Sequence, residues 1–264
     1  MNTLEVTVLI GAGAFLAGLL GALTGLGGGV VIVPLLTLVF GLDLREAVGV
    51  SLVSVIMTSS AAAGVYLERH VADLRLGMRL ELFTAIGALV GGSIAFLIDE
   101  RVLAVLFALL LAYVAFTMAR SARKAAVEVG TVEEPAPDRP TYEVRNLRLG
   151  QVGATGAGIA SALLGVGGGI IKVPLMHLAM GVPLRVATAT SNLMVVITAA
   201  ASAVIDRLHG EIDPFVAGPT AIGVFLGASV GSRVAHRIEL RVLRWLFVAV
   251  LLYTAAQMLL KAIG

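Results

Sequence analysis

Residues 25–35 read Gly25-Leu26-Gly27-Gly28-Gly29-Val30-Val31-Ile32-Val33-Pro34-Leu35, a glycine-rich break in the helical pattern that is followed by a short apolar run. It returns as Gly165-Val166-Gly167-Gly168-Gly169-Ile170-Ile171-Lys172-Val173-Pro174-Leu175, an offset of 140 residues. The same offset pairs further residues without a gap: Gly41 with Gly181, Arg45 with Arg185, Ala47 with Ala187, Ser51 with Ser191, Asp73 with Asp213, Gly87 with Gly227, Gly91 with Gly231, Arg101 with Arg241, Phe107 with Phe247, and Tyr113 with Tyr253. Shared composition does not explain matched Arg, Asp, Pro and Tyr, and we therefore predict two homologous halves.

The composition around these breaks indicates a membrane protein. Of the 264 residues, 58% are hydrophobic and 14% charged, whereas soluble domains have about 45–50% and about 25%. The apolar runs approach the roughly 20 residues of a membrane helix and lack the alternation of barrel strands. We predict an all-α, polytopic membrane protein. The absence of Cys excludes disulfides and thiol chemistry, and basic residues confined to loops argue against a nucleic-acid partner.

A polar, proline-containing segment separates the halves. We predict a first membrane repeat over residues 1–124, a polar cytoplasmic linker over 125–146, and a second membrane repeat over 147–264, because the linker composition cannot bury a core. Since Met1 to Glu5 has no Lys or Arg, we expect the first span to be retained rather than cleaved.

Each half is predicted to contain a long span, the break, a short apolar helix and three further spans. The predicted segments are 4–23, 30–40, 48–67, 80–98 and 102–119, then 149–164, 170–180, 188–205, 215–235 and 242–260. If the short helices cross, each half has five segments and the repeats are inverted; if they do not, the repeats are parallel. Inversion puts more of the Lys and Arg residues on the linker side, so we favour inverted repeats with external termini.

The glycine triplets are the first candidates for substrate binding. Interrupted helices at matching positions of inverted repeats mark transporter sites, and the N–H groups of a restarting helix favour an anion. These candidates are Gly27, Gly28, Gly29, Gly167, Gly168 and Gly169. Close helix packing is the alternative for glycines, and we prefer it for Gly87, Gly91, Gly227 and Gly231.

Lys172 is a charged residue within an apolar run, and its counterpart in the first half is Ile32. An ammonium there would strengthen an anion site, or the side chain would snorkel to the membrane surface, and both interpretations stay open. Glu5 and Glu81 are placed at span ends, so the sequence predicts no carboxylate proton relay and leaves the coupling ion undetermined.

Further polar residues are predicted to line a cavity or to bond between helices, namely Ser51, Ser191 and Asn192. Pro34, Pro174, Arg45 and Arg185 are assigned gating or structural roles, and Asp73 and Asp213 are expected to cap helices. The four His residues are scattered, so we predict no metal site, no cofactor, no catalytic residues and no enzyme activity.

At these motifs the chain resembles the sulfite exporter TauE/SafE family, also called the 4-toluene sulfonate uptake permease family. The resemblance rests on the two glycine breaks through Pro34 and Pro174, on Leu44-Arg45 and Leu184-Arg185, and on Ser51 and Ser191. It implies a multi-pass carrier in a bacterial or archaeal inner membrane for sulfite, thiosulfate or organosulfonates, driven by a proton or ion gradient. We therefore expect a secondary anion transporter working by alternating access, with an anion channel or an intramembrane enzyme as alternatives.

Overall fold

The chain forms a bundle of helices, described by a computed structural model for residues 3–24, 29–68, 70–125, 142–234 and 240–263. The first half contains α1 (Thr3–Thr24), α2 (Gly29–Pro34, continued by a π-helical turn over Leu35–Val39), α3 (Leu44–Glu68), α4 (Leu74–Ala95) and α5 (Glu100–Ala125). The second contains α6 (Leu147–Leu164), α7 (Gly169–Pro174, continued by a π-helical turn over Leu175–Ala179), α8 (Leu184–Leu208), α9 (Pro214–Val234) and α10 (Leu240–Ile263). No strand occurs in these ranges, and the all-α prediction is confirmed.

The duplication is visible in the bounds of the helices. Adding 140 to the bounds of α2, its π-helical turn and α3 gives the bounds of α7, its π-helical turn and α8. The turn after each short helix also repeats: Leu42 N–H donates to Leu36 O at 3.1 Å, and Val182 N–H donates to Met176 O at 3.0 Å. The two short segments therefore adopt the same local structure.

The halves pack by exchanging helices. α1 lies against α9, and its counterpart α6 lies against α4, while α3 packs on its counterpart α8 and α5 on α10. Glycines permit the exchanged contacts, because a Cβ at Gly87 would overlap the Thr155 carbonyl and one at Gly227 would overlap the Phe15 carbonyl. The packing interpretation of these glycines agrees with the structure.

Contacts along α3 and α8 give their relative direction. Gly49 of α3 faces Asp206 near the end of α8, whereas Val55 and the earlier residue Val195 both lie against Gly167. The two counterpart helices thus run antiparallel. An inverted repeat requires this relation; the predicted inversion across a membrane stays a prediction.

Helix length and composition fit a multi-pass membrane protein. Five helices are long and apolar enough to cross a bilayer within the described residues: Leu44–Glu68, Leu74–Ala95, Glu100–Arg120, Leu184–Leu208 and Pro214–Gly231. Large apolar side chains such as Leu82, Phe116 and Phe215 remain exposed on the bundle, as lipid-facing positions do. The prediction of ten membrane segments goes beyond these five spans and stays a prediction.

The start of α4 differs from its predicted position. The sequence placed this span at residue 80, but the helix begins at Leu74, where the Asp73 carboxylate accepts a bond of 2.9 Å from Leu76 N–H. Glu81 therefore lies about two turns inside the helix and is buried. The prediction that Glu81 lies at a span end is wrong, because the helix continues through Arg75 and Arg79, which both lie on the exposed face of α4.

The chain that follows the linker is tied to this helix start. Tyr142 donates a hydrogen bond of 2.6 Å from its hydroxyl to Asp73 Oδ2, and Asp73 N–H donates to Thr190 Oγ1 at 2.9 Å. Burial and the bond to Asp73 raise the pKa of Tyr142, so the phenol stays protonated and keeps donating. The beginnings of α4 and α8 thus lie at the linker end of the bundle. Asp213 also caps as predicted, since it accepts a bond of 2.9 Å from Phe215 N–H.

Candidate functional site

The second glycine break is a tight turn between α6 and α7. Gly165, Gly167 and Gly168 have φ values of +67°, +75° and +71°, a region that other residues rarely adopt. A Cβ at Gly168 would also lie 3.0 Å from Ala157 O. Glycine is needed here both for its backbone conformation and for the close approach of α6.

The two breaks meet inside the bundle. Ser51 Oγ of α3 donates to Gly165 O at 2.8 Å and lies 3.4 Å from Gly29 O, so one hydroxyl connects both breaks. A Cβ at Gly29 would lie 2.7 Å from Gly165 O. Ser51 is fully buried in this contact. The predicted site residues Gly27 and Gly28 lie outside the described residues.

A cavity of about 230 Å³ lies against the second break. Its inner wall includes Val166 and Gly169, and Val55 of α3 contributes to it. From there the lining extends to Thr188 near the start of α8 and to Thr117 in the second half of α5. Because α8 begins beside the cap of α4, the cavity extends from the break toward the linker end of the bundle.

Besides Gly169, two predicted binding residues with polar side chains line this cavity. Ser191 is buried, and its Oγ has no hydrogen-bond partner within the described part of the chain. Asn192 is half-buried and donates from Nδ2 to Thr188 O at 3.0 Å. Ser191 corresponds to Ser51, but the two hydroxyls differ, since that of Ser51 is bonded between the breaks and that of Ser191 has no described partner.

Lys172 belongs to a buried polar cluster on the other side of α7. Its Nζ donates to Thr198 Oγ1 of α8 at 2.7 Å, and Thr198 Oγ1 lies 2.7 Å from Glu81 Oε1 of α4. Nζ also lies 3.6 Å from Glu81 Oε2. Lys172 is 1% exposed, so its ammonium is paired in the interior and does not snorkel. It does not line the 230 Å³ cavity, although Gly169 and Val173 of the same helix do.

Sequence reasoning missed Glu81 and Thr198 as members of this cluster. Thr198 lies 26 residues after Lys172, and Glu81 lies 117 residues before Thr198, so no local motif connects them. One available signal was that Glu81 and Lys172 are both absent from the corresponding positions of the other half, which hold Ala221 and Ile32.

The remaining predicted residues are two arginines and two prolines, and Pro174 is one of the residues that line the 230 Å³ cavity. Arg45 donates from Nη2 to Ile98 O at 2.8 Å and thereby ties α3 to the turn after α4, whereas its counterpart Arg185 is exposed. Pro34 and Pro174 each end a short α-helical segment and precede the π-helical turn. Arg45 also lines a much smaller pocket, with Asp206, at the end of the bundle away from the linker.

Comparison with known proteins identifies relatives along nearly the whole chain. The family described as "Sulfite exporter TauE/SafE" matches residues 10–258. The "Probable membrane transporter protein YunE" of Bacillus subtilis is 24% identical over 261 residues, covering 94% of this chain and 95% of that protein. A "Probable membrane transporter protein" of Xylella fastidiosa is 28% identical over 240 residues, covering 90% and 88%. A relative named in the same way from the archaeon Methanocaldococcus jannaschii is 27% identical over 186 residues, covering 67% and 62%. No solved structure matches the chain.

Proposed function

Because this chain belongs to the sulfite exporter TauE/SafE family and is a multi-pass membrane transporter rather than an enzyme, we propose that it carries small anions across the inner membrane by alternating access. The proposed cargo is sulfite, thiosulfate or an organosulfonate. The family name supports a sulfur oxyanion, and the second break offers a place for one.

The lining of the 230 Å³ cavity is the observation that supports this proposal. Its polar residues carry hydroxyl or amide groups, namely Ser59, Tyr113, Thr117, Thr188, Ser191 and Asn192, and no carboxylate is among the described lining residues. Hydroxyl and amide groups donate hydrogen bonds, and oxyanions accept them. The unpartnered hydroxyl of Ser191 is a free donor within this lining.

The size of the cavity also suits a small anion. A single buried water needs about 10–15 Å³ on the same scale, so about 230 Å³ has room for an oxyanion with part of its hydration shell. Apolar side chains such as Val55, Val166 and Val195 form the rest of the wall. A few polar groups on an apolar wall are typical of small-molecule sites.

The arrangement of the breaks supports alternating access. The cavity extends toward the linker end, while Gly165 closes the other side by packing against Val48 and bonding to Ser51. In the proposed cycle this conformation exposes the site on the linker side. Movement of the breaks, together with the short helices that follow them, would close that side and open the other.

Anion binding to purified protein tests the site. Asn192→Leu places in the cavity the residue that the first half has at the corresponding position, Leu52. We expect this variant to weaken binding of sulfite, thiosulfate and methanesulfonate by at least about tenfold, the loss expected for a polar contact worth about 1.4 kcal/mol. Calorimetry measures the affinities, and thermal unfolding in detergent checks the fold.

Asn146→Leu is the matched control. Asn146 is exposed at the linker end and donates from its side chain to Ala179 O. Its loss should leave anion affinity unchanged. Equal affinities for wild type and a folded Asn192→Leu variant would contradict the proposed site.

A further inference from the structure

The cluster of Glu81, Lys172 and Thr198 holds two opposite charges in the interior of the bundle. The Glu81 side chain is 6% exposed and the Lys172 side chain 1%, and their charged atoms lie 3.6 Å apart. Glu81 Oε1 takes the bond from Thr198, whereas Oε2 has no hydrogen-bond partner among the described residues. With both groups ionised the cluster is neutral, and one carboxylate oxygen remains available to a proton.

Among the described residues, the only salt bridge at these charges is the one between Glu81 and Lys172. On α6, which packs against α4, the one ionisable residue is Arg148, which is exposed at the start of the helix, and Arg75 and Arg79 of α4 are exposed as well. α7 contributes Lys172, and α8 contributes Thr198 to the contact, since Arg185, Asp206 and Arg207 lie near the ends of α8. The charge state of the cluster is therefore set by Glu81 and Lys172 alone within the described chain.

The first half shows that this packing does not need the ion pair. Ala221 and Ile32 occupy the positions of Glu81 and Lys172, and both are buried. The counterpart of Thr198 is Thr58, which bonds within its own helix to Ser54 O at 3.2 Å. Because desolvation offsets much of the attraction in a buried ion pair, the apolar version is an adequate structural solution. The ion pair is therefore not required for packing.

We propose that Glu81 and Lys172 couple anion transport to protons, with the proton bound at Glu81 freeing the charge of Lys172 for the anion. This inference rests on the proposed function. A proton from one side of the membrane binds the Glu81 carboxylate and later dissociates on the other side, and no other bond forms or breaks.

Charge balance gives the direction of coupling. Protonation of Glu81 leaves Lys172 as an uncompensated positive charge in a medium of low polarity, and an anion nearby removes that cost. The anion cavity is close, because Gly169 and Val173 line it on the same helix that carries Lys172. The stem of Lys172 also runs along the break, with Cε 3.2 Å from the Cβ position of Gly168. Proton and anion are thus loaded together, which is symport.

Sulfonate exchange in proteoliposomes tests the coupling. Methanesulfonate and benzenesulfonate stay ionised throughout the tested range, so a change in their affinity reports on the protein. For wild type we expect half-saturation to fall by about tenfold between about pH 7.5 and about pH 5.5, within the range typical of coupling between two ligands. An imposed proton gradient should also drive accumulation of the sulfonate.

Two variants separate coupling from structure. Glu81→Gln combined with Lys172→Arg leaves a positive charge that persists at every pH, because a guanidinium stays protonated in proteins. Exchange by the folded variant should therefore keep high affinity without pH dependence, and the proton gradient should no longer drive accumulation. The double variant Glu81→Ala with Lys172→Ile copies the first half; it should fold, as judged by thermal unfolding, and show low affinity at both pH values.

The outcomes distinguish failure of the proposed transport function from failure of the proposed proton coupling. If wild type exchanges neither sulfonate, the proposed function fails, and the coupling fails with it. If wild type exchanges them but the folded variant with Glu81→Gln and Lys172→Arg keeps the pH dependence of wild type, the coupling inference alone is overturned.

Discussion

At the scale of single residues, the second break depends on glycines that hold a left-handed backbone. Gly168 combines a φ of +71° with contacts to Ala157 O and Ser161 Cβ within about 3.3 Å of its Cβ position. An L-residue in this conformation costs about 1–2 kcal/mol before any overlap is counted. The break is therefore the place in the site where a side chain is least tolerated.

Gly168→Ala should lower the free energy of unfolding by at least about 1–2 kcal/mol. Gly156→Ala is the matched control, because Gly156 lies inside α6 with open space at its Cβ position. Alanine in a helix is favoured over glycine by roughly 0.5–1 kcal/mol, so the control should be neutral or stabilised. Thermal or denaturant unfolding in detergent measures the stability of both variants. Equal stability would contradict the left-handed backbone and close packing at Gly168.

The two serines at equivalent positions should respond differently to the loss of their hydroxyls. Ser51→Ala removes the bond to Gly165 O and leaves a buried carbonyl unpaired, which should cost about 1–3 kcal/mol of stability. Ser191→Ala removes a hydroxyl without a described partner, so stability should change little while anion affinity falls. Calorimetric binding and unfolding, performed on both variants, test the contrast; a destabilised Ser191→Ala protein with unchanged affinity would refute it.

The residues of the site were only partly predictable from the sequence. The glycine breaks and Ser191 could be proposed because a glycine-rich segment and a duplicated residue are visible in the sequence. Asn192 could be proposed because it is a polar residue in an apolar run. The pairing of Lys172 with Glu81 depends on the packing of three helices and on a helix start fixed by Asp73. Distant contacts of this kind leave no local pattern in one sequence.

At the scale of elements, helix pairs are joined through glycine. α4 and α6 approach so closely that a Cβ at Gly91 would lie 2.7 Å from Ile159 Cα, and a Cβ at Gly158 would overlap Thr84 O. Small residues that let helix backbones approach are a common basis of association within membranes. This contact also holds α4, and with it Glu81, in place beside α8.

Gly91→Leu should therefore separate α4 from α6 and destabilise the bundle by about 1–3 kcal/mol or more, the usual cost of overpacking. Gly64→Leu is the control, since nothing lies within 4 Å of the Cβ position of Gly64 in α3. The difference in unfolding temperature between the two purified variants checks the prediction. Similar temperatures would show that the close contact between α4 and α6 is absent.

The elements themselves were predicted well, because long apolar runs and breaks determine them. The predicted helix bounds are wrong where a helix end is charged. The sequence predicts that this span begins at residue 80, because lipid-facing spans avoid arginine, but α4 begins at Leu74. In the fold, Arg75 and Arg79 are exposed at the linker end while Leu76, Leu80 and Glu81 turn inward. Amphipathic helix ends therefore require packing information that hydropathy does not contain.

At the scale of the whole molecule, the antiparallel relation of α3 and α8 fits two halves with opposite orientation in the membrane. Five segments per half then place the linker on one side and both termini on the other. From the bias of Lys and Arg toward the linker side, we propose that this side is the cytoplasm. Under this assignment the cavity at the second break faces the cytoplasm.

A cysteine introduced at Pro137 tests the assignment, since the chain contains no Cys of its own. We expect an impermeant thiol reagent to leave this cysteine unlabelled in intact cells and to label it after lysis, while a cysteine appended to the C-terminus is labelled in intact cells. Labelling of the linker from outside would reverse the proposed topology.

We propose an anion carrier that exposes one site alternately to each side, and counterflow in proteoliposomes distinguishes such a carrier from a channel. Vesicles loaded with excess unlabelled sulfite or methanesulfonate are diluted into a trace of the same labelled anion, without a proton gradient. A carrier accumulates the label transiently above its external concentration, and folded Asn192→Leu protein should do so much less. Label that only equilibrates, together with currents that do not saturate, would contradict the claim and indicate a channel.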